Sequence, residues 1–282
     1  MVIDLTPTRN NTGPARLLDM IEGRSKQVFK TWLANRPEAW RDKVDVVAMD
    51  GFTGFKTATV EELPDAVTVM DPFHVVRLAG DALDRCRRRI QQTLHGHRGR
   101  ATDPLYRARR MLHTGDGLLT DKQRTRLEAL FAEEDHLEVE VTWGAYQQMI
   151  TAYREPDPAH GRELMRRLIA SLSSGIPAAL IELRTLGRTL KTRAVDVLAY
   201  FDRPGTSNGP TEAICECCSG WSGTGWSRWF RSCCSAVTLE AIGPFPGALP
   251  LNCPGEQRGR HRPAHFGDLI RRLSDPTSDS GS

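Results

Sequence analysis

Apolar positions follow two different periods along this chain, and the switch between them divides it. The first 74 residues carry short apolar runs of strand length. Residues 2–6 read as a strand and residues 15–22, with L-L-D-M-I-E, as a second. Ser25 is placed to cap a helix over 26–35, with Val28, Phe29, Trp32 and Leu33 on one face and Pro37 ending it. Residues 44–51, V-D-V-V-A-M-D-G, predict a buried strand with Asp50 at its C-terminal tip. A helix is expected to start in 51–54 and run to Leu63, ahead of Pro64. Residues 66–70, A-V-T-V-M, form a further strand that again ends in an acid, Asp71, followed by Pro72, Phe73 and His74.

From Val75 to Phe201 the period becomes helical. Ala79, Leu83, Cys86, Ile90 and Leu94 share a face. Thr120 with Gln123 is a capping box for a helix to about Glu133. Further helices are expected over 140–154, 158–172 and 177–201, the last interrupted near Gly187. Residues 202–211 form a loop. Pro210 then suits a first helical position, with Asn208 or Gly209 as cap and Glu212 in the first turn, where the helix dipole favours a carboxylate. After Ile214 the periodicity is lost, and 274–282 have the composition of a disordered end.

The chain has 282 residues, enough for one large or two ordinary domains. No apolar run approaches the roughly 18 residues of a membrane span. The N-terminus lacks the basic-then-apolar layout of a signal peptide, so a cytoplasmic protein with no membrane partner is the expectation. Net charge is +3, too mild to name a partner. Its distribution says more, because residues 75–112 hold ten Arg, no Lys and three Asp. Arg77, Arg85, Arg87, Arg88 and Arg89 are therefore candidates for DNA phosphates, against the commoner reading of a solvated face. Residues 87–89 are consecutive and cannot all share one helix face.

Six of the seven cysteines lie between Cys215 and Cys253. Cys215 and Cys218 have zinc-type spacing, with Cys233, Cys234, His261 and His265 further on. The gap from Cys218 to His261 is far longer than a zinc finger allows. A disulfide framework does not suit a cytoplasmic chain.

A buried strand cannot bury a free carboxylate, so Asp50 should project from the sheet edge, where open α/β sheets place ligands. Two acids at adjacent strand tips, joined by one on a distant helix, suit a Mg²⁺ or Mn²⁺ site for phosphodiester chemistry.

Three separated segments carry a resemblance. V-V-A-M-D-G-F-T-G-F at 46–55, V-M-D-P-F-H-V-V-R at 69–77 and T-S-N-G-P-T-E-A at 206–213 resemble bacterial insertion-sequence transposases of the DDE type, the ISL-three (ISL3) group. The resemblance covers roughly residues 1–214. It implies an α/β fold: an RNase-H-like catalytic core with a large all-helical insertion. It implies DNA transposon ends as partner, with a possible homo-oligomer and no small-molecule substrate. It also implies Mg²⁺ or Mn²⁺ as cofactor, bound by Asp50 and Glu212 as the second and third catalytic acids. Glu212 stands in the Asn-Gly-x-x-Glu context of Asn208-Gly209-Pro210-Thr211-Glu212. Asp71 and His74 match an acid-x-x-His signature, read as supporting the site, although His74 is equally a helix cap or a partner of Asp71. Trp143 is either a core residue or, as in some related transposases, an aromatic that stacks on a displaced base.

The departures shape the remaining expectations. In the family the first acid lies on a central strand upstream of the segment matching 2–6, and Asp4 and Asp19 are not its substitutes. Without that strand its neighbours should expose unpaired backbone groups. The sequence after Ile214 departs from the family's regular helix, which points to a frameshift or fused junction there. The expected organisation is a partial core over 1–74, the helical insertion over 75–201, a return to the core over 202–214, and an irregular tail over 215–282. The expected function is metal-dependent strand cleavage and transfer at insertion-sequence ends, with activity lost in this chain. The alternative is a non-catalytic DNA-binding remnant or a pseudogene product.

Overall fold

A computed structural model describes residues 1–97, 99–208, 237–241 and 249–250. Glu212, the cysteine-rich stretch, the zinc-type spacing and the end expected to be disordered lie outside the described residues. The chain forms two compact units. One comprises Met1–His74 with Arg203–Ala264, the other Val75–Asp202 with His265–Ser282.

In the first unit, β1 (Val2–Asp4) leads into the short helix α1 (Thr6–Arg9). The strand stops two residues sooner than its pattern predicts. The Asp4 carboxylate accepts the Thr6 N–H, and Pro7 favours a helical start. β2 (Arg16–Asp19), α2 (Lys26–Ala34), α3 (Glu38–Arg41), β3 (Val44–Met49), α4 (Thr53–Glu62) and β4 (Val67–Met70) follow. Ser25 caps α2 by accepting the Val28 N–H. β3 is buried on both faces except at Asp45, as its near-continuous apolar run requires.

Phe29, Trp32 and Leu33 of α2, Trp40 of α3, and Phe55 and Ala58 of α4 pack with Val44, Val47 and Met49 on one face of the sheet. Phe29 meets Phe55 edge-on at 5.4 Å, and Trp32 meets Trp40 edge-on at 5.6 Å.

Among its described residues the second unit has helices and no strand. α5 (Pro72–His95) begins at the end of the first unit and continues into it. α6 (Pro104–Arg107), α7 (Asp121–Phe131), α8 (Leu137–Arg154), α9 (Pro158–Ser173), α10 (Ile181–Thr192) and α11 (Ala194–Asp202) complete it. The capping box of Thr120 and Gln123 forms at the start of α7. The predicted interruption near Gly187 is corrected: α10 runs through it, and the break falls at Arg193. Gly187 instead lets α10 approach α9, because a Cβ there would lie 1.9 Å from the Leu172 carbonyl oxygen. Arg89 of α5 joins Glu138 of α8 and Glu182 of α10.

The tail corrects two further expectations. Residues 215–282 are not irregular throughout, since β5 (Val237–Ala241) and β6 (Leu249–Pro250) are strands. The described strands form one sheet in the order β4-β3-β5-β1-β2-β6. β5 lies between β1 and β3, parallel to the first and antiparallel to the second. The strands expected to lack a partner are therefore paired with the chain's own later segment, whose apolar Val237 and Leu239 join the aromatic core.

Candidate active site at the β3 and β4 strand tips

β3 and β4 are parallel and in register from Val46 with Val67 to Met49 with Met70. Asp50 and Asp71 therefore leave the sheet side by side, and the Asp71 N–H donates to the Met49 carbonyl at 2.9 Å. Their environments differ. The Asp50 side chain is 14% exposed. Its Oδ1 accepts the Phe52 N–H at 3.0 Å, and its Oδ2 lies 3.5 Å from Arg24 Nη2.

Asp71 is buried. Its Oδ2 accepts the His74 N–H at 3.0 Å, capping α5, and its Oδ1 accepts the Asn208 N–H at 2.9 Å. Burial pushes its carboxyl up to about 6 against the pull of those N–H groups, and the charge on Asp50 adds to the rise.

His74 packs over Gly51. A Cβ on Gly51 would lie 2.6 Å from His74 Nε2, so only glycine lets the imidazole lie so close to the backbone beside Asp50. The residues after α11 are pinned to the sheet at several points. Arg203 pairs with Asp45 at 3.1 Å, Arg9 donates to the Pro204 carbonyl, and Asn208 reaches Asp71. The Asn208 side chain is buried and accepts the Thr238 hydroxyl. Thr238 was not legible as a site residue, because its place depends on which strands β5 joins.

Asp50, Asp71, His74 and Asn208 are thus brought to one end of the sheet, while Glu212 lies outside the described residues. Asp4 ends β1, which runs opposite to β3 across β5, so it points to the other end of the sheet. There it accepts from Arg16 Nε and Nη2. Asp19 accepts from Trp32 Nε1 and Arg36. Among the described residues no group of three or more His, Cys, Asp or Glu is placed to hold a metal ion.

A family model described as a transposase, of the DDE type and the ISL3 group, matches residues 2–216. The chain belongs to the ISL3 group of DDE transposases. The family acts in DNA transposition, and its match spans both strand-tip acids and the helical residues 75–202. No curated protein and no solved structure matches the chain. No helix among the described residues is long and apolar enough to cross a membrane.

The arginines that the sequence offers to DNA phosphates divide in this transposase. Arg77, Arg85 and Arg88 are exposed on α5, Arg88 with Asp84 at 3.0 Å. Arg87 is buried, holding Asp84 and Gln91. Arg89 is drawn between Glu138 and Glu182 and also donates to the Ala179 carbonyl. Trp143 is half-buried against Phe131 and lines a cleft of about 950 Å³ with Leu127 and Leu168.

Proposed function

We propose that the first unit is an RNase-H-like core whose chemistry is metal-dependent cleavage and transfer of DNA strands at insertion-sequence ends. The observation that carries this reading is the side-by-side exit of Asp50 and Asp71 from parallel strands, in a chain of the DDE transposase family. Asp50 is the more accessible carboxylate of the two and offers hard oxygen donors, the type that Mg²⁺ or Mn²⁺ takes. Asp71 has both oxygens taken by backbone N–H groups, which suits it to hold the tip in shape.

Asp50 and Glu212 would hold the cation. When bound, the cation supplies activation of water and stabilisation of charge on the leaving oxygen. The chain's own residues do the positioning. The Phe52 N–H fixes one Asp50 oxygen and leaves the other turned toward Arg24. Asp71 anchors the start of α5 and so sets His74 over Gly51. Asn208 ties the chain that returns from the helical unit back to the same tip. Arg77, Arg85 and Arg88 are assigned to DNA phosphates, because they are exposed on one helix.

A second reading has its own support. Asp4, Asp19 and Asp71 are each engaged in local structure, and Asp50 itself accepts the Phe52 N–H beside Arg24. On that reading the chain binds DNA without cutting it.

A plasmid nicking assay with Mn²⁺ separates the two. Nicking that disappears in Asp50→Ala supports the cleavage reading. No nicking by a folded wild-type chain that still binds duplex DNA overturns it in favour of the second.

A further inference from the structure

β5 is late in the chain and central in the sheet. Among the described strands, β1 with β2 and β3 with β4 form two pairs that meet only through β5. It pairs with β3 on one side and with β1 on the other, and two further bonds flank β1. The Leu5 N–H donates to the Leu239 carbonyl at 2.8 Å, and the Val237 N–H donates to the Met1 carbonyl at 3.2 Å. Side chains alternate along a strand. Val237 and Leu239 enter the aromatic core, and Thr238 turns to the opposite face, 1% exposed.

There the Thr238 hydroxyl donates to Asn208 Oδ1, and the Asn208 backbone N–H donates to Asp71 Oδ1. A relay therefore runs from the middle of the sheet to the tip of β4. Thr238 lies beyond the residues matched by the family model.

We propose that Thr238 is a positioning residue for the candidate site. Its hydroxyl fixes the Asn208 amide, and through Asn208 it holds the backbone N–H that caps Oδ1 of Asp71 beside Asp50. This rests on the reading that the tips of β3 and β4, with Asp50 and Asp71, form the site. The physical reason is orientational. The Asn208 side chain is buried, so its oxygen must find a donor within the fold, and the Thr238 hydroxyl supplies one. Withdrawing that donor favours a turn of the side chain toward another partner. The Asn208 backbone moves with it, and the N–H bond to Asp71 weakens.

The test uses the full chain and two substitutions. Thr238→Val keeps the volume and β-branch but removes the hydroxyl. Thr238→Ser keeps the hydroxyl. The readout is amide hydrogen exchange followed by NMR. In Thr238→Val the Asn208 amide is expected to exchange on the order of ten times faster or more, while the Leu5 and Val237 amides keep their protection. Thr238→Ser is expected to restore the Asn208 rate.

An unchanged Asn208 rate in Thr238→Val overturns the proposal. So does a parallel loss of protection at Leu5 and Val237, or unfolding of Thr238→Val while Thr238→Ser stays folded. Either would mean that the hydroxyl holds the strand and not the site. Wild-type nicking, read on the same preparation, reports separately on the cleavage reading, so the two can fail independently.

Discussion

Asn208 donates its backbone N–H to Oδ1 of Asp71 at 2.9 Å, although 137 residues separate the two in sequence. That bond returns the chain to the tip of β4 after the helical residues 75–202. Asp71→Ala would remove the acceptor for two N–H groups, Asn208 and His74. The expected cost is about 2–4 kcal/mol, from a lost helix cap and a buried orphan donor. Asp71→Asn keeps one acceptor oxygen and should cost about half as much. Urea unfolding followed by near-ultraviolet circular dichroism checks both, and a loss below about 0.5 kcal/mol for the alanine variant would refute the assignment.

Gly51 and His74 form a second contact that can be tested in isolation. Gly51→Ala places a Cβ against the imidazole, and overpacking of this kind costs about 1–3 kcal/mol. The double variant with His74→Ala should recover most of that loss, since the obstructing ring is gone. Additive losses in the cycle would show that the strain lies elsewhere.

The glycines of the helical unit should respond with opposite signs. Gly187→Ala drives a Cβ into the backbone of Leu172, and a loss of about 3 kcal/mol or more is expected. Gly144 lies within α8 with open space where its Cβ would be. Gly144→Ala should stabilise the helix by up to about 1 kcal/mol. Melting temperatures of the two variants moving in the same direction would count against this packing.

Acid stability of the helical unit should depend on Asp84. Burial raises its pKa, but His113 and Arg87 outweigh that and hold it well below the ordinary 3.8, at about 2. A carboxylate depressed in the fold contributes stability that is present above its unfolded pKa and lost as pH falls through the folded one. The window is therefore pH 4 to 2, with a contribution of about 1–2 kcal/mol. Asp84→Asn should flatten the stability profile across that window, and a profile unchanged by the substitution would exclude the ion pairs as its source.

The arginines of α5 should separate by role. Arg85→Ala, at an exposed position, should weaken duplex binding and lower the salt slope by about one. Arg89→Ala should instead destabilise the fold, because it strands Glu138 and Glu182 together. If Arg89→Ala changed the salt slope while stability stayed constant, the two roles would have to be exchanged.

Much of the local structure is legible in neighbouring residues. The run V-D-V-V-A-M announces β3, because a strand buried on both faces must be apolar almost throughout. Ser25 and the Thr120–Gln123 box announce helix starts, because a cap is a contact within one turn. The two acids at strand tips could be placed because a carboxylate must leave a buried strand where the strand ends. The three quoted motifs also led to the family whose model matches residues 2–216.

What the tertiary structure alone decided depends on distant partners. Asp50 and Asp71 carry the same side chain after similar strands. Asp71 is claimed by Asn208 from the far end of the helical unit, and that claim distinguishes their roles. Arg88 and Arg89 are adjacent in sequence, yet one lies exposed and the other is held by acids 49 and 93 residues away. Gly187 reads as a helix breaker until the backbone of Leu172 is set against it. β5 shows no clear period among its neighbours in sequence and still takes the centre of the sheet. Strand pairing uses backbone groups that every residue possesses, so the partner of a strand is chosen by the space the rest of the fold leaves open.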